Sequence, residues 1–309
     1  MNSEKHIPVL LNETIDGLNI KSDGIYVDLT LGRAGHSSKI IERLTTGLLI
    51  GVDQDQTAID ESTERLNQYK ARHIIIKSNF SRIKEILKEL EIDEVDGILM
   101  DLGVSSPQFD VAERGFSYNY DGPLDMRMDQ SQKLTAYEIV NNYSLNELVK
   151  IFNDYGEDRY SYQIAKNIIK ERQMKPIETT FELVEIIKRS KPNKELNKIG
   201  HPAKQIFQAL RIATNDELNV LKIAIKDSLE VLKPHGRLAI ISFHSGEDRI
   251  VKTMFNEKTK IKGNRLNIPD PETKIEYQLI TRHPIVANEE EIIENHRSKS
   301  AKLRIIEHL

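Results

Sequence analysis

The 309-residue chain contains no cysteine. Disulfides, thiolate nucleophiles, iron–sulfur clusters and cysteine-ligated zinc fingers are therefore all excluded. No stretch approaches the roughly 18 consecutive apolar residues that would span a membrane. The start, Met1-Asn2-Ser3-Glu4-Lys5-His6, has neither the cationic nor the apolar part of a signal peptide. The expectation is a cytoplasmic globular protein with no membrane partner. Neither sign of charge dominates, since 44 Lys and Arg face 48 Asp and Glu for a net of −4. Such a balance does not advertise a nucleic-acid partner, although local patches matter more than the total. What is present is ample for a core: 39% of residues are hydrophobic against 30% charged. The length predicts two domains, or one large domain with an insertion.

Short apolar runs alternate with helical spacings over the first hundred residues. Gly24 to Leu29, Leu48 to Val52, His73 to Lys77 and Val95 to Met100 read as buried strands. Ser37 to Leu44, Thr57 to Leu66 and a segment opening at Ser81 and running to Leu90 read as helices between them. Strands separated by helices of this length mean βαβ units and a parallel sheet, so the fold class is α/β. The rhythm stops after Asp101. Residues 102–130 are rich in Gly, Ser, Pro and Asp, and helices are predicted over Leu145 to Phe152, Ser161 to Arg172, Thr180 to Lys188 and Ala203 to Ala213. Alternation resumes with a helix from Asp216 to Leu232, closed by a stop signal at Lys233-Pro234-His235-Gly236. A strand from Arg237 to Phe243, a helix from Glu247 to Phe255, and strands near Tyr277 to Thr281 and Ala301 to Ile306 complete the reading. The division predicted is a first sheet-forming part over 1–108, a helical insertion over 109–212 and a second sheet-forming part over 213–309.

Ligands of an open parallel sheet bind outside the carboxyl ends of its strands. The loop after the first strand, Asp28 to Ser37, holds two glycines and Ala34, which let backbone approach a ligand. It is not a GxGxxG loop. Asp53 ends the second strand, placed either to hydrogen-bond the ribose of a nucleotide-type cofactor or to cap the next helix, a role for which Asp55 competes. Asp101 ends the fourth strand, where an acid can reach a cofactor or merely cap a turn. Lacking the three-glycine pyrophosphate fingerprint, the set suits S-adenosylmethionine better than NAD. In extended form Phe116, Tyr118 and Tyr120 share one face, either a platform for an unpaired base or the apolar underside of a loop. The six Lys and Arg from Lys188 to Lys204 read as a solvated face or an RNA-backbone contact. His244, Glu247 and Asp248 lie close in sequence. Without GxSxG or HExxH they favour a substrate- or cofactor-orienting loop, or an N-capped helix start, over a hydrolase or metal site.

Motifs in a fixed order extend this reading: His6 to Leu10, the 28–37 loop, Asp101 to Gln108, Arg114 to Tyr118, Asp121 to Asp129, His201 to Ala203, Phe207 to Ile212 and Ile241 to Arg249. Together the chain resembles the RsmH (MraW) family of bacterial 16S rRNA cytosine-N4 methyltransferases, from about residue 5 to 307. The resemblance implies a class I S-adenosylmethionine-dependent methyltransferase, with a Rossmann-like, mostly parallel sheet and an inserted all-helical substrate-recognition domain. It implies methyl transfer to N4 of a decoding-centre cytidine, with 16S rRNA in the small ribosomal subunit as partner. Oligomeric state, a homodimer included, is left open, and no metal is expected. Carried over by position, the cofactor site falls on Ala34, Gly35, His36, Asp53, Phe80, Asp101 and Gln108. The chain departs from the family pattern at Ala34, where Gly is frequent, and at Lys204-Gln205, Gly246 and His296.

The N4 lone pair is delocalised into the cytosine ring, so acceptors on the amino hydrogens would aid attack on the methyl and take the departing proton. Asp101, Ser106, Asp125 and His244 are the candidates, Ser105 standing beside Ser106 as an alternative. The Asp/Asn-Pro-Pro-aromatic motif of other amino-methyltransferases is missing after the fourth strand, which counts against a DNA amino-methyltransferase. Two further rivals are an NAD(P)-dependent oxidoreductase on the same fold and a non-catalytic RNA-binding assembly factor.

Overall fold

A computed structural model describes residues 7–260 and 275–309, so His6 of the first motif lies outside the described residues. The chain divides into two compact units, one of Met1–Gly103 with Leu218–Leu309 and the other of Val104–Glu217.

Among the described residues of the first unit, seven strands form one sheet: β1 (Ile25–Asp28), β2 (Leu48–Asp53), β3 (Arg72–Lys77), β4 (Val95–Asp101), β5 (Leu232–Ser242), β6 (Tyr277–Leu279) and β7 (Lys302–His308), in the order β3-β2-β1-β4-β5-β7-β6. β3 to β5 are parallel, while β7 runs antiparallel to β5 and β6 antiparallel to β7. The strands are apolar almost throughout because both faces are covered. Neighbours alternate between two cores. Ile50, Ile98 and Ile240 pack with helices Ile83–Glu89 and Glu217–Glu230 on one side, and Leu49, Leu99 and Ala239 with Ile15, Ile40 and Leu66 on the other. The chain leaves β1 toward β2 and β3, then returns to place β4 on β1's other side. That reversal opens a crevice at the carboxyl ends of β1 and β4. Asp28 pairs in register with Gly51 and Leu99, so Asp53 and Asp101 each stand two residues further out along the same edge.

Three sequence expectations need correction here. Lys233-Pro234-His235-Gly236 is not a helix stop, because the helix ends at Glu230 and β5 begins at Leu232. Those residues form a bulge: Leu232 pairs with Val95, the register shifts, and Arg237 pairs with Gly97, with His235 at φ +65°. The segment opening at Ser81 starts instead as a short 3-10 turn, Phe80–Arg82. There Asn79 caps by accepting from the Ser81 N–H at 3.0 Å, and the α-helix runs over Ile83–Glu89. β6 and β7 are shifted from their expected bounds by a few residues, β6 ending at Leu279 and β7 spanning Lys302–His308.

The second unit is built from helices Ala136–Asn142, Leu145–Asp154, Ser161–Arg172, Thr180–Arg189 and Lys204–Asn215, with shorter turns between. Ser144 with Glu147 and Thr179 with Glu182 form reciprocal capping boxes that fix two of the starts. Leu148, Phe152, Ile164, Ile168, Leu183, Ile187, Ile206 and Leu210 make the core. Of the two readings of Phe116, Tyr118 and Tyr120, the apolar underside of a loop is the one seen for the first two. Phe116 is buried in this core, and Tyr118 stacks on His201 with ring centroids 4.4 Å apart and touches Phe207 edge-on, leaving Tyr120 alone exposed. Of the basic run, Lys191 is buried against Asp158 at 2.5 Å, and Lys188, Arg189 and Lys198 pair with Glu185, Glu171 and Glu195. None of the described helices is long and apolar enough to cross a membrane.

Candidate functional site

The carboxyl edge of the sheet gathers acids that have no Lys or Arg ion pair among the described residues: Asp28, Asp53 and Asp101. Asp28 is buried, and accepts hydrogen bonds from the Ser37 hydroxyl at 2.7 Å and the Thr30 N–H at 3.1 Å. Burial nevertheless pushes its carboxyl up to about 6, with the charge of Asp53 adding to the rise. The loop beyond it turns on Gly32 at φ +49° and Ala34 at φ +56° and enters the helix Gly35–Ile41. Gly35 is required by packing, since a Cβ there would lie 2.4 Å from Cγ of Pro8.

Asp53 faces that loop. Its Oδ2 accepts from the Gly32 N–H at 2.8 Å and its Oδ1 from the Asp55 N–H at 2.9 Å. The helix Gln56–Leu66 is capped by Asp55, which accepts from the Thr57 N–H at 3.1 Å. The capping alternative for Asp53 is thereby excluded. Burial raises the Asp53 carboxyl above its usual range. Phe80, in the turn after β3, is half-buried against the core.

Asp101 closes the cluster. Its N–H donates to the Thr30 hydroxyl at 2.6 Å, its Oδ2 lies 3.6 Å from Nδ1 of His36, and its Oδ1 is buried with no hydrogen-bond partner. Burial, then the charges of Asp28 and Glu247, hold its carboxyl well above the ordinary range. His36, also buried, points Nε2 at the Val9 carbonyl 3.0 Å away. His244 caps the helix Ser245–Thr259, its Nδ1 accepting from the Glu247 N–H at 3.4 Å while Glu247 Oε2 accepts from the N–H groups of Phe243 and His244. The N-capped helix start is thus the role seen for this motif. Its Nε2 stands 3.1 Å from Glu247 Oε1.

Three candidates belong to the second unit. Gln108 is buried and its Oε1 accepts from the Ser105 N–H at 3.0 Å; Ser106 opens the short helix Ser106–Asp110. Asp125 is clasped by Arg127, whose Nε and Nη2 donate to its two oxygens at 2.8 and 2.7 Å. Burial alone would raise the Asp125 carboxyl, but these bonds hold it below its ordinary range. It is therefore a weak proton acceptor. The sequence marks Asp28 only as the start of the loop, although an ionisable residue closing an apolar strand is itself a signal; Glu247 is read there with His244, as part of an orienting loop or a helix start.

An orphaned carboxylate oxygen and raised acids at one strand edge fit a ligand that brings positive charge and hydroxyls. They do not fit a pyrophosphate, which needs donors and cations. Joined to a 3-2-1-4-5-7-6 sheet with an antiparallel seventh strand, this edge defines a class I S-adenosylmethionine-dependent methyltransferase. The chain matches the MraW methylase family over residues 3–309. It is 53% identical over 305 residues to the ribosomal RNA small subunit methyltransferase H of Exiguobacterium sibiricum, covering 98% of each chain. The chain belongs to the MraW methylase family. Among solved structures it is similar to an rRNA methylase from Streptococcus thermophilus, at 10% identity and a TM-score of 0.43 with 98% of each chain covered. It is also similar to TrmN from Thermus thermophilus, at 10% identity and a TM-score of 0.43, covering 97% of this chain and 48% of that one.

Proposed function

We propose that this chain transfers a methyl group from S-adenosylmethionine to the exocyclic N4 of a decoding-centre cytidine of 16S rRNA, within the small ribosomal subunit. The observation that carries the reading is the set of raised carboxylates at the β1/β4 crevice, with no Lys or Arg ion pair among the described residues, in a chain whose relative acts on small-subunit rRNA. The cofactor supplies an electrophilic methyl carried on a positively charged sulfur. Asp53 would accept from ribose hydroxyls, and its hold on Gly32 keeps the loop in place for that contact. Phe80 offers an aromatic surface to adenine. The backbone at Ala34, Gly35 and His36, with Gln108, completes the cofactor set. Asp101 supplies negative charge near the reacting centre and heads the acceptors for N4, ahead of Ser106 and His244. Asp125 ranks last, because Arg127 already occupies both its oxygens.

For the nucleophile, the cost lies in withdrawing the N4 lone pair from the ring. An acceptor aligned on an amino hydrogen lowers that cost only in the transition state, and so acts on turnover. The target base must also leave its stack, at a cost of a few kcal/mol.

The cofactor half is tested by equilibrium dialysis with radiolabelled S-adenosylmethionine alongside an NADH fluorescence titration. Retained label with no NADH enhancement supports the reading, and the reverse pattern would establish the oxidoreductase alternative. Loss of methyl transfer to small subunits in Asp101→Asn, with cofactor retained, supports its acceptor role; unchanged transfer removes it.

A further inference from the structure

The last rung between β1 and β4 is made by a side chain. The two strands pair in parallel, with Asp28 opposite Leu99, and the Leu29 N–H donates to the Leu99 carbonyl at 2.9 Å. The same register sets Asp101 opposite Thr30. A parallel ladder continued by one step would give the Asp101 N–H a main-chain carbonyl of β1. It donates instead to the Thr30 hydroxyl at 2.6 Å. β1 has ended at Asp28, and the chain is already turning toward Gly32 at φ +49°. A hydroxyl thus occupies the place of the missing strand acceptor.

Thr30 is itself held. Its N–H donates to Asp28 Oδ1 at 3.1 Å, and its hydroxyl, which accepts from Asp101, has its hydrogen left for the same oxygen 3.4 Å away. Oδ2 of Asp28 accepts from the Ser37 hydroxyl at 2.7 Å. Asp28 is therefore bound into the loop through both oxygens, and the contacts run unbroken from the helix Gly35–Ile41 to the backbone of Asp101. β5 holds the next residue, since the Leu102 N–H donates to the Ile241 carbonyl at 2.9 Å. Oδ1 of Asp101 is buried with no hydrogen-bond partner, so its direction is set by where the backbone carries it.

We propose that Thr30 is a positioning residue for methyl transfer, its hydroxyl fixing the end of β4 so that the unpartnered oxygen of Asp101 meets the amino group of the substrate cytidine. The inference rests on reading Asp101 as the acceptor for N4. An acceptor works only when it is aligned in the transition state, so loosening it acts on turnover and spares ground-state binding. A shift of about 1 Å in a reacting group costs about 100-fold in rate. Without the Thr30 bond the end of β4 is tied on the β5 side alone. The role belongs to the hydroxyl and not to the methyl group, which separates it from packing.

The test compares Thr30→Val, which loses the hydroxyl at similar volume, with Thr30→Ser, which keeps it. Methyl transfer from S-adenosylmethionine to small ribosomal subunits lacking the modification gives kcat and KM, and calorimetry gives the Kd of S-adenosylhomocysteine. Thr30→Val should lower kcat about 10- to 100-fold, with both KM values and that Kd within about twofold of the unaltered protein. Thr30→Ser should restore kcat to within about threefold. A kcat unchanged in Thr30→Val, a loss shared equally by Thr30→Ser, or a loss that appears in KM and Kd instead would overturn the role of Thr30 while leaving the acceptor reading intact. Unchanged transfer in Asp101→Asn would remove the acceptor reading, and this proposal with it. The amide proton resonance of Asp101 gives a measure independent of turnover. It should lie downfield in the unaltered protein and in Thr30→Ser, and move upfield in Thr30→Val. An Asp101 amide with no downfield shift in the unaltered protein would contradict the proposal even if Thr30→Val failed to fold.

Discussion

Replacing Asp28 with Asn should stabilise the cofactor-free protein at neutral and alkaline pH, and lose that advantage in acid. A carboxyl displaced from 3.8 to about 6 by burial carries a penalty of about 3 kcal/mol once ionised. The amide removes that penalty. Its oxygen still accepts from the Thr30 N–H, but its NH₂ meets the Ser37 hydroxyl, which loses its acceptor at a cost of about 1 kcal/mol. The net gain at pH 8 is about 2 kcal/mol, or roughly 4–8 °C in Tm at 2–4 °C per kcal/mol. The pH dependence follows from the raised folded value. Asp28's carboxyl favours the folded state when protonated, so the unaltered protein loses this stability as pH rises from about 4 through about 6. At pH 4.5 most of the penalty has gone, and the variant's advantage should fall to near zero. Thermal melts of both proteins at pH 4.5 and 8, compared as differences, cancel the titrations of groups that the Asp28 charge does not reach. A variant less stable at pH 8, or equally more stable at both pH values, would refute the argument.

Other expectations follow from the same geometry. Asp53→Asn removes a charged acceptor, worth about 1.5–3 kcal/mol, so the Kd for S-adenosylhomocysteine should weaken about 10- to 100-fold by calorimetry, with circular dichroism unchanged. Gly35→Ala drives a Cβ to 2.4 Å from Pro8 Cγ and should lower stability by about 1–3 kcal/mol in thermal melts. Lys191→Met leaves Asp158 buried and unpaired, at a cost of about 3–5 kcal/mol. The double variant with Asp158→Leu should recover most of that loss in chemical denaturation, and no recovery would mean that the pair is not what holds those helices.

The strands of the first unit were legible because burial on both faces writes them as short apolar runs, and the acids at their ends stand out against those runs. The start of β5 was not legible. Lys233-Pro234-His235-Gly236 has the composition of a helix stop, and only the pairing of the flanking Leu232 and Arg237 with Val95 and Gly97 makes it a bulge. The choice between Asp53 and Asp55 as cap was open for a similar reason, since the loop that claims Asp53 arrives from residue 32. Alternation at Phe116, Tyr118 and Tyr120 left a base platform and the apolar underside of a loop both open, and an irregular segment keeps no strand geometry to decide between them. Contacts with distant helices decided where each ring went. The two readings of Glu247, orienting loop or helix start, stayed open because a capping box and a buried charge look the same in one dimension.

The most direct test of the account is methyl transfer from tritiated S-adenosylmethionine to small ribosomal subunits lacking the modification, followed by digestion of the RNA to nucleosides. Label is expected in N4-methylcytidine or its 2′-O-methyl form. Label in any other nucleoside, or no label from protein that binds the cofactor, would contradict it.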